Sequence, residues 1–286
     1  MNTLASSNPL SPLTDDEPSG HDAPRRRAPP LKVLLPLLLA PALLGLWEWV
    51  VRAGDVSPHI MPGPVLIAQT LVADWPLLFG SWLVTMKVMF MAITSAVVLG
   101  VAIALLFAQS RFIEMTLFPY AVVMQVTPVV AIAPLLVIWV DNVPMALLIC
   151  AWLVAFFPIL SNTTVGLNSA DSNLRDLFAL YGATRGQTLR RLRMPAAMPY
   201  FLAGLRISGG LSLIGAVVAE FVAGAGGQGS GLAYRILEAG YQLKTPRMFA
   251  ALVLISLSGV AIFLATTWIS HLCLRHWHES ALKREG

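Results

Sequence analysis

Two cysteines, Cys150 and Cys273, are the only thiols in 286 residues. Cys150 falls inside an apolar run and Cys273 at the edge of another, so neither a disulfide framework nor a metal-ligand spacing is available, and they read as small core residues. Charge is scarce too: Asp, Glu, Lys and Arg make up 12% of the chain, against about 25% in a soluble domain. The lysines are Lys32, Lys87, Lys244 and Lys283, none in a GxxxxGK[ST] context, so the chain has no phosphate-cradling loop with which to bind and hydrolyse ATP. HExxH, CxxC and GxSxG are missing, and the histidines (His21, His59, His271, His276, His278) are scattered among tails and loops. No catalytic residue and no metal site can be assigned, and an enzyme is not expected. Gly224, Gly226 and Gly229 match GxGxxG but follow an apolar run, so they read as a tightly turned or flexible loop.

Apolar sequence, by contrast, is plentiful. The chain is 57% hydrophobic, with a mean hydropathy of +0.73. Six runs are long enough to cross about 30 Å of hydrocarbon: Val33 to Val51, Trp82 to Ala108, Met115 to Val140, Val143 to Leu160, Met198 to Val222 and Met248 to His271. Only Asp141 and Asn142 separate the third from the fourth. The expected fold is all-α and polytopic, with six transmembrane helices. With the N-terminus inside, Arg25, Arg26, Arg27, Lys32, Arg111, Arg175, Arg185, Arg190, Arg191, Arg193, Arg275, Lys283 and Arg284 lie on the inner side, and Arg52, Arg235, Lys244 and Arg247 on the outer. That bias places both termini in the cytoplasm. The sequence pI near 9.3 therefore reflects topology, and no nucleic-acid partner is expected. Trp47, Trp49, Trp75, Trp139 and Trp268 near span ends read as an aromatic belt against membrane lipid. Residues 1–30, rich in Pro, Ser, Asp and Arg, read as a disordered cytoplasmic tail. Residues 31–276 then form the membrane domain and 277–286 a second cytoplasmic tail.

Lys87, Arg206 and Glu220 lie inside spans. A charge at mid-bilayer costs roughly 2.5–3.5 kcal/mol on insertion scales, so each faces protein, water or an interface. Arg206 lies close enough to the cytoplasmic side to snorkel, and Glu220 sits near the outer end of the same run. In the third run, prolines 119, 128 and 134 interrupt the hydrogen-bond ladder, with Gln125 and Thr127 beside one break. Two readings fit. Gln125, Thr127 and Pro128, together with Glu220, line a solute path, because broken helices at membrane depth are tolerated where they border a cavity. Alternatively, this is a kinked packing helix whose Gln and Thr satisfy neighbouring backbone. The small residues of the 206–216 segment would let another helix approach closely.

The 170–196 segment is polar and Arg-rich between apolar runs. Leu174, Leu177, Phe178 and Tyr181 form one stripe of a short helix, with Arg175 and Asp176 directed away from it. Gly182 ends that helix as a left-handed cap. Thr184 and Gln187 form a capping box that starts a second helix, and Met194-Pro195 is expected to stop it. A water-facing helix with an exposed apolar stripe is an unfilled docking surface.

This segment resembles the EAA loop of the inner-membrane permease subunits of bacterial ABC importers. Asp176 stands in the acidic position, Phe178 and Ala179 near the small ones, and Gly182 is the glycine. Pro195 lies thirteen residues after that glycine, with Pro199 matching the following proline. Departures are Asp for Glu, Phe178 for a small residue and Met194 for Leu. Ile60 to Pro64, Gln125 to Trp139, Phe157-Pro158 and Ala219-Glu220 extend the likeness over about residues 35–275. They are similar to permeases of taurine, alkanesulfonate, nitrate and pyrimidine-precursor importers. The resemblance implies a type I permease fold and a homodimer in the bacterial inner membrane. It also implies a separate ATPase subunit carrying ATP and Mg, and a periplasmic or lipid-anchored substrate-binding protein. The chain itself would hold no cofactor. Its cargo would be a small sulfonate, nitrate, taurine or a pyrimidine or vitamin precursor, carried inward by alternating access. Leu174, Asp176, Leu177, Phe178, Ala179, Tyr181, Gly182 and Pro195 would then couple to the ATPase. The alternative is an ion-coupled secondary transporter using Glu220, Lys87 or Arg206, although no inverted repeat is visible.

Overall fold

A computed structural model describes residues 31–224 and 230–275, all helical or connecting segments. The expected tails, residues 1–30 and 277–286, lie outside the described residues, as do Gly226 and Gly229. The helices are α1 (Leu31–Ala53), α2 (Pro64–Ala73), α3 (Trp75–Gln109), α4 (Arg111–Val126), α5 (Val129–Val140) and α6 (Val143–Asn168). They continue with α7 (Ser172–Leu180), α8 (Arg185–Thr188), α9 (Met194–Ala223), α10 (Leu232–Tyr241) and α11 (Thr245–Leu274). The chain divides into two units, residues 1–46 and 47–286.

Among the described residues, four stretches are long and apolar enough to cross a membrane: α3, α6, α11 and the 39 residues from Arg185 to Ala223. The third expected span is not one continuous helix. It is α4 and α5, bent by 98° at Thr127-Pro128, where both residues are extended. Pro119 and Pro134 sit inside their helices, so only Pro128 breaks the ladder. The bent pair nonetheless carries the chain from one end of the bundle to the other. At one end Arg193 bonds both Ala108, at the close of α3, and Leu167, at the close of α6. At the opposite end Val84 of α3 and Val143 at the start of α6 border one cavity. Since α3 ends where α6 ends, α4 and α5 together must traverse the bundle.

α6 and α9 pack along their lengths because small residues let the backbones meet. A Cβ on Gly166 would lie 2.9 Å from Ala197 Cα, one on Gly204 2.7 Å from Pro158 O, and one on Gly215 2.9 Å from Ala151 Cα. Ser208 Oγ donates to Ala155 O at 2.6 Å across the same seam. Gly209 meets α11 instead, where its Cβ would fall 3.0 Å from Ile262. Buried Ala92, Ala133, Ala151 and Ala216 continue this small-residue packing where α3, α5, α6 and α9 join.

α2 and α10 are additional short helices at the end opposite Arg193. Glu48 Oε2 accepts from Val65 N, at the first turn of α2, at 3.1 Å. Arg247 donates to both carboxylate oxygens of Asp74, at 2.6 and 3.0 Å, fastening α11 to the α2–α3 corner. Thr245 Oγ1 donates to His59 O at 2.7 Å.

Candidate functional site

α7 is started by Asp171, whose Oδ1 accepts from Asn173 N at 2.7 Å and Leu174 N at 3.4 Å. None of its residues is buried. Leu174 and Leu177 are 47% and 44% exposed and Tyr181 84%, while Phe178 is half-buried and Asp176 and Ala179 are exposed. An apolar stripe of this kind facing outward has no partner within the described residues. Gly182 follows at φ +67. Ala183 N donates to Phe178 O at 2.9 Å and Gly182 N to Ala179 O at 3.0 Å, which are the two bonds of a Schellman motif. Thr184 then opens α8 with a complete capping box: Gln187 N donates to Thr184 Oγ1, and Thr184 N to Gln187 Oε1.

The expected stop at Met194-Pro195 is not found. Met194 is helical, and α8 runs through one π turn (Leu189–Arg193) into α9, with Pro195 in the first turn of α9. The Met194 N–H reaches back five residues to Leu189 O. The widened turn avoids the carbonyl clash that proline imposes on a tight helix. The helix bearing Pro195 is thus continuous with α8. Arg193 anchors the junction, donating from Nε to Leu167 O (2.9 Å), from Nη1 to Ala108 O (2.7 Å) and from Nη2 to Asn168 Oδ1 (2.6 Å).

The break between α4 and α5 borders a cavity of about 390 Å³ walled by Gln125, Thr127 and Pro128, by Leu153 and Pro158 of α6, and by Leu211 and Ile214 of α9. Gln125 is exposed, and Thr127 Oγ1 donates to Val123 O at 2.6 Å, so the hydroxyl serves its own helix. The wall is apolar apart from Gln125, Thr127 and main-chain groups, and none of its residues is charged.

Glu220 does not border that cavity. It is 3% exposed and accepts from Thr85 Oγ1 at 2.8 Å and Ala233 N at 3.1 Å. Thr85 Oγ1 in turn accepts from Leu232 N at 2.9 Å. The Glu220–Thr85 pair therefore caps α10 and ties it to α3 and α9. A Cβ on Gly231 would collide with the Glu220 carboxylate, so glycine is needed for this close approach. Thr85 and α10 carry no motif signal; a Glu in an apolar run was the one available hint. Lys87 is exposed. Arg206 is half-buried, its guanidinium 5.8 Å from the Phe263 ring centroid.

Residues 96–272 match the family described as binding-protein-dependent transport system inner membrane component. A probable ABC transporter permease protein of Haemophilus influenzae is 32% identical over 84% of this chain and 97% of its own length. A formylaminopyrimidine transport permease protein of Halalkalibacterium halodurans is 31% identical over 85% of this chain and 96% of its own. A riboflavin transport system permease protein of Chloroflexus aurantiacus is 31% identical over 94% of this chain and 98% of its own. Among solved structures, an amino acid ABC transporter crystallised with histidines superposes with a TM-score of 0.59 at 19% identity, covering 73% of this chain and 97% of that one. That likeness concerns the fold.

Proposed function

This chain belongs to the inner-membrane components of binding-protein-dependent transport systems, and from that premise we propose that it is the six-span permease of an importer powered by a separate ATPase. The family is the membrane component of a transporter and not its catalytic subunit. α1 supplies the sixth span. The stripe of Leu174, Leu177, Phe178 and Tyr181, with Asp176 and Ala179, docks in a groove of the ATPase, which holds ATP and Mg. The Gly182 turn and the α8–α9 helix bearing Pro195 carry the motion into the bundle. The observation that supports this most is the exposed apolar face of α7, a helix capped at both ends with none of its residues buried.

Two copies of the chain in the bacterial inner membrane, with both termini cytoplasmic, would place the Gln125–Pro128 chambers on either side of a shared path, loaded by a periplasmic or lipid-anchored binding protein. Relatives named for formylaminopyrimidine, riboflavin, aliphatic sulfonates and nitrate, together with the mostly apolar chamber wall, favour a small pyrimidine or vitamin precursor, with a sulfonate, taurine or nitrate next. Glu220, which an ion-coupled transporter would need free, is engaged in capping α10.

The test is co-purification. A tagged chain should bring down a Walker A-containing ATPase, and Leu177→Asp should abolish this while Ser172→Asp, the same charge on the far side of α7, should not. Equal loss in both, or retention in both, would remove the docking assignment.

A further inference from the structure

At the Arg193 end of the bundle, a cavity of about 630 Å³ opens between the close of α3, the first turns of α4, the end of α6 and the inner flank of α7. Arg111, Arg175 and Arg193 border it with one carboxylate, Glu114. Arg193 is held rigidly by its three bonds to Leu167, Ala108 and Asn168. Among the described residues Arg111 and Arg175 have neither an ion pair nor a side-chain hydrogen bond, although both border the same space. A second cavity of about 600 Å³ shares Arg175 and Arg193 and adds Arg185. On α4, Arg111, Glu114, Met115 and Phe118 recur at i, i+3, i+4 and i+7, so one face of the helix serves the cavity.

The walls are amphiphilic. Phe107, Met115 and Phe118 form the apolar side, and the surface continues outward over Phe112 and Met115, which are 78% and 70% exposed. Three guanidinium groups and one carboxylate leave two net positive charges. Guanidinium pairs phosphate oxygens bidentately, and basic pockets between helices at the cytoplasmic boundary select acidic headgroups.

We propose that this cavity is a binding site for the phosphate headgroup of an acidic phospholipid, held by Arg111 and Arg175 against the fixed Arg193, with its acyl chains over Phe112 and Met115. A free inorganic phosphate offers the same oxygens but would leave the apolar wall unused. Arg175 lies on the flank of α7 beside the apolar stripe, so a bound lipid would hold the proposed docking helix to the membrane surface. The site itself is defined by binding and stands or falls apart from the transport reading.

Native mass spectrometry of the full chain in detergent, with phosphatidylglycerol or phosphatidylcholine added, tests it. The wild type should retain phosphatidylglycerol preferentially. Arg111→Gln with Arg175→Gln should weaken that preference on the order of tenfold, whereas Arg190→Gln with Arg191→Gln, two exposed arginines outside the cavity, should leave it unchanged. Phosphatidylglycerol should raise the unfolding temperature of the wild type and not of the cavity pair, while the two unfold alike without lipid. Equal retention of both lipids, equal loss in both double variants, or an equal thermal shift in wild type and cavity pair would overturn the site. Displacement of the lipid by inorganic phosphate would assign it to a soluble anion instead and overturn the lipid reading.

Discussion

Gly182 and Gly204 show two different reasons for a glycine. Nothing lies within 4 Å of the position a Cβ on Gly182 would take, so the cost of a side chain there is that of the left-handed backbone alone, about 1–2 kcal/mol and more for a β-branched residue. Gly182→Val should therefore insert in the membrane in normal amount yet transport poorly, and Gly182→Asn, which tolerates this conformation, should retain more uptake. Gly204 has ordinary backbone angles, but its Cβ would lie 2.7 Å from Pro158 O. Gly204→Val should lower the yield of folded protein itself. Wild-type uptake by Gly182→Val would show that the turn does not set the coupling geometry. Glu220 makes a third case. Glu220→Leu removes the acceptor for the buried Ala233 N–H, a loss of about 1–3 kcal/mol. Hydrogen exchange at Leu232 and Ala233 should accelerate on the order of tenfold or more, with little change in α6. Unaltered exchange would mean that α10 is held by its apolar contacts alone.

Helices in this chain are shaped as much by their ends as by their faces. α7 has only nine residues, too few for an isolated helix to persist in water, and Asp171 and the Schellman motif supply what length does not. α4 and α5 show the converse, since only together are they long and apolar enough for a span, yet the pair bends by 98°, with Gln125 bordering the cavity at the bend. Cysteines placed at 125 and 127, in a chain carrying Cys150→Ala and Cys273→Ser, are expected to react with small water-soluble thiol reagents, and their rates to change when ATP is trapped on the partner. Gln125→Leu is expected to depress or redirect uptake without releasing the ATPase. Unreactive cysteines together with normal uptake by the Leu variant would make α4–α5 a packing element and move the path elsewhere on α9.

Over the whole molecule, the Arg193 end carries Arg111, Arg175 and Arg185, and the opposite end carries the Glu220–Thr85 cap and the Asp74–Arg247 pair. Arg52, Arg235 and Lys244 also lie at that opposite end, so the orientation proposed above rests on the Lys and Arg count of the connecting segments. A reporter fused at Asn142 should be extracytoplasmic and one at Arg185 cytoplasmic, because α4 and α5 together make one traverse and α6 another. An external signal at Arg185 would place α7 where no cytoplasmic ATPase could meet it.

What the sequence determined by itself is what neighbouring residues decide among themselves. The apolar runs follow from composition over about twenty residues. The α7 stripe, the left-handed Gly182 and the Thr184–Gln187 box follow from groups no more than seven positions apart. Composition and spacing thus sufficed for an all-helical membrane chain with a capped polar helix between spans. Tertiary structure decided the rest. Pro195 continues a helix because a π turn absorbs the defect that local rules assign to it. Of three prolines in one run only Pro128 bends the chain, and α10 exists as a docked element because Glu220 and Thr85, 135 residues apart, meet at its first turn. Arg193 closes the Arg193 end through Ala108, 85 positions away. Such contacts have no period or motif in the sequence, since the partner that satisfies each buried polar group is chosen by packing between distant segments.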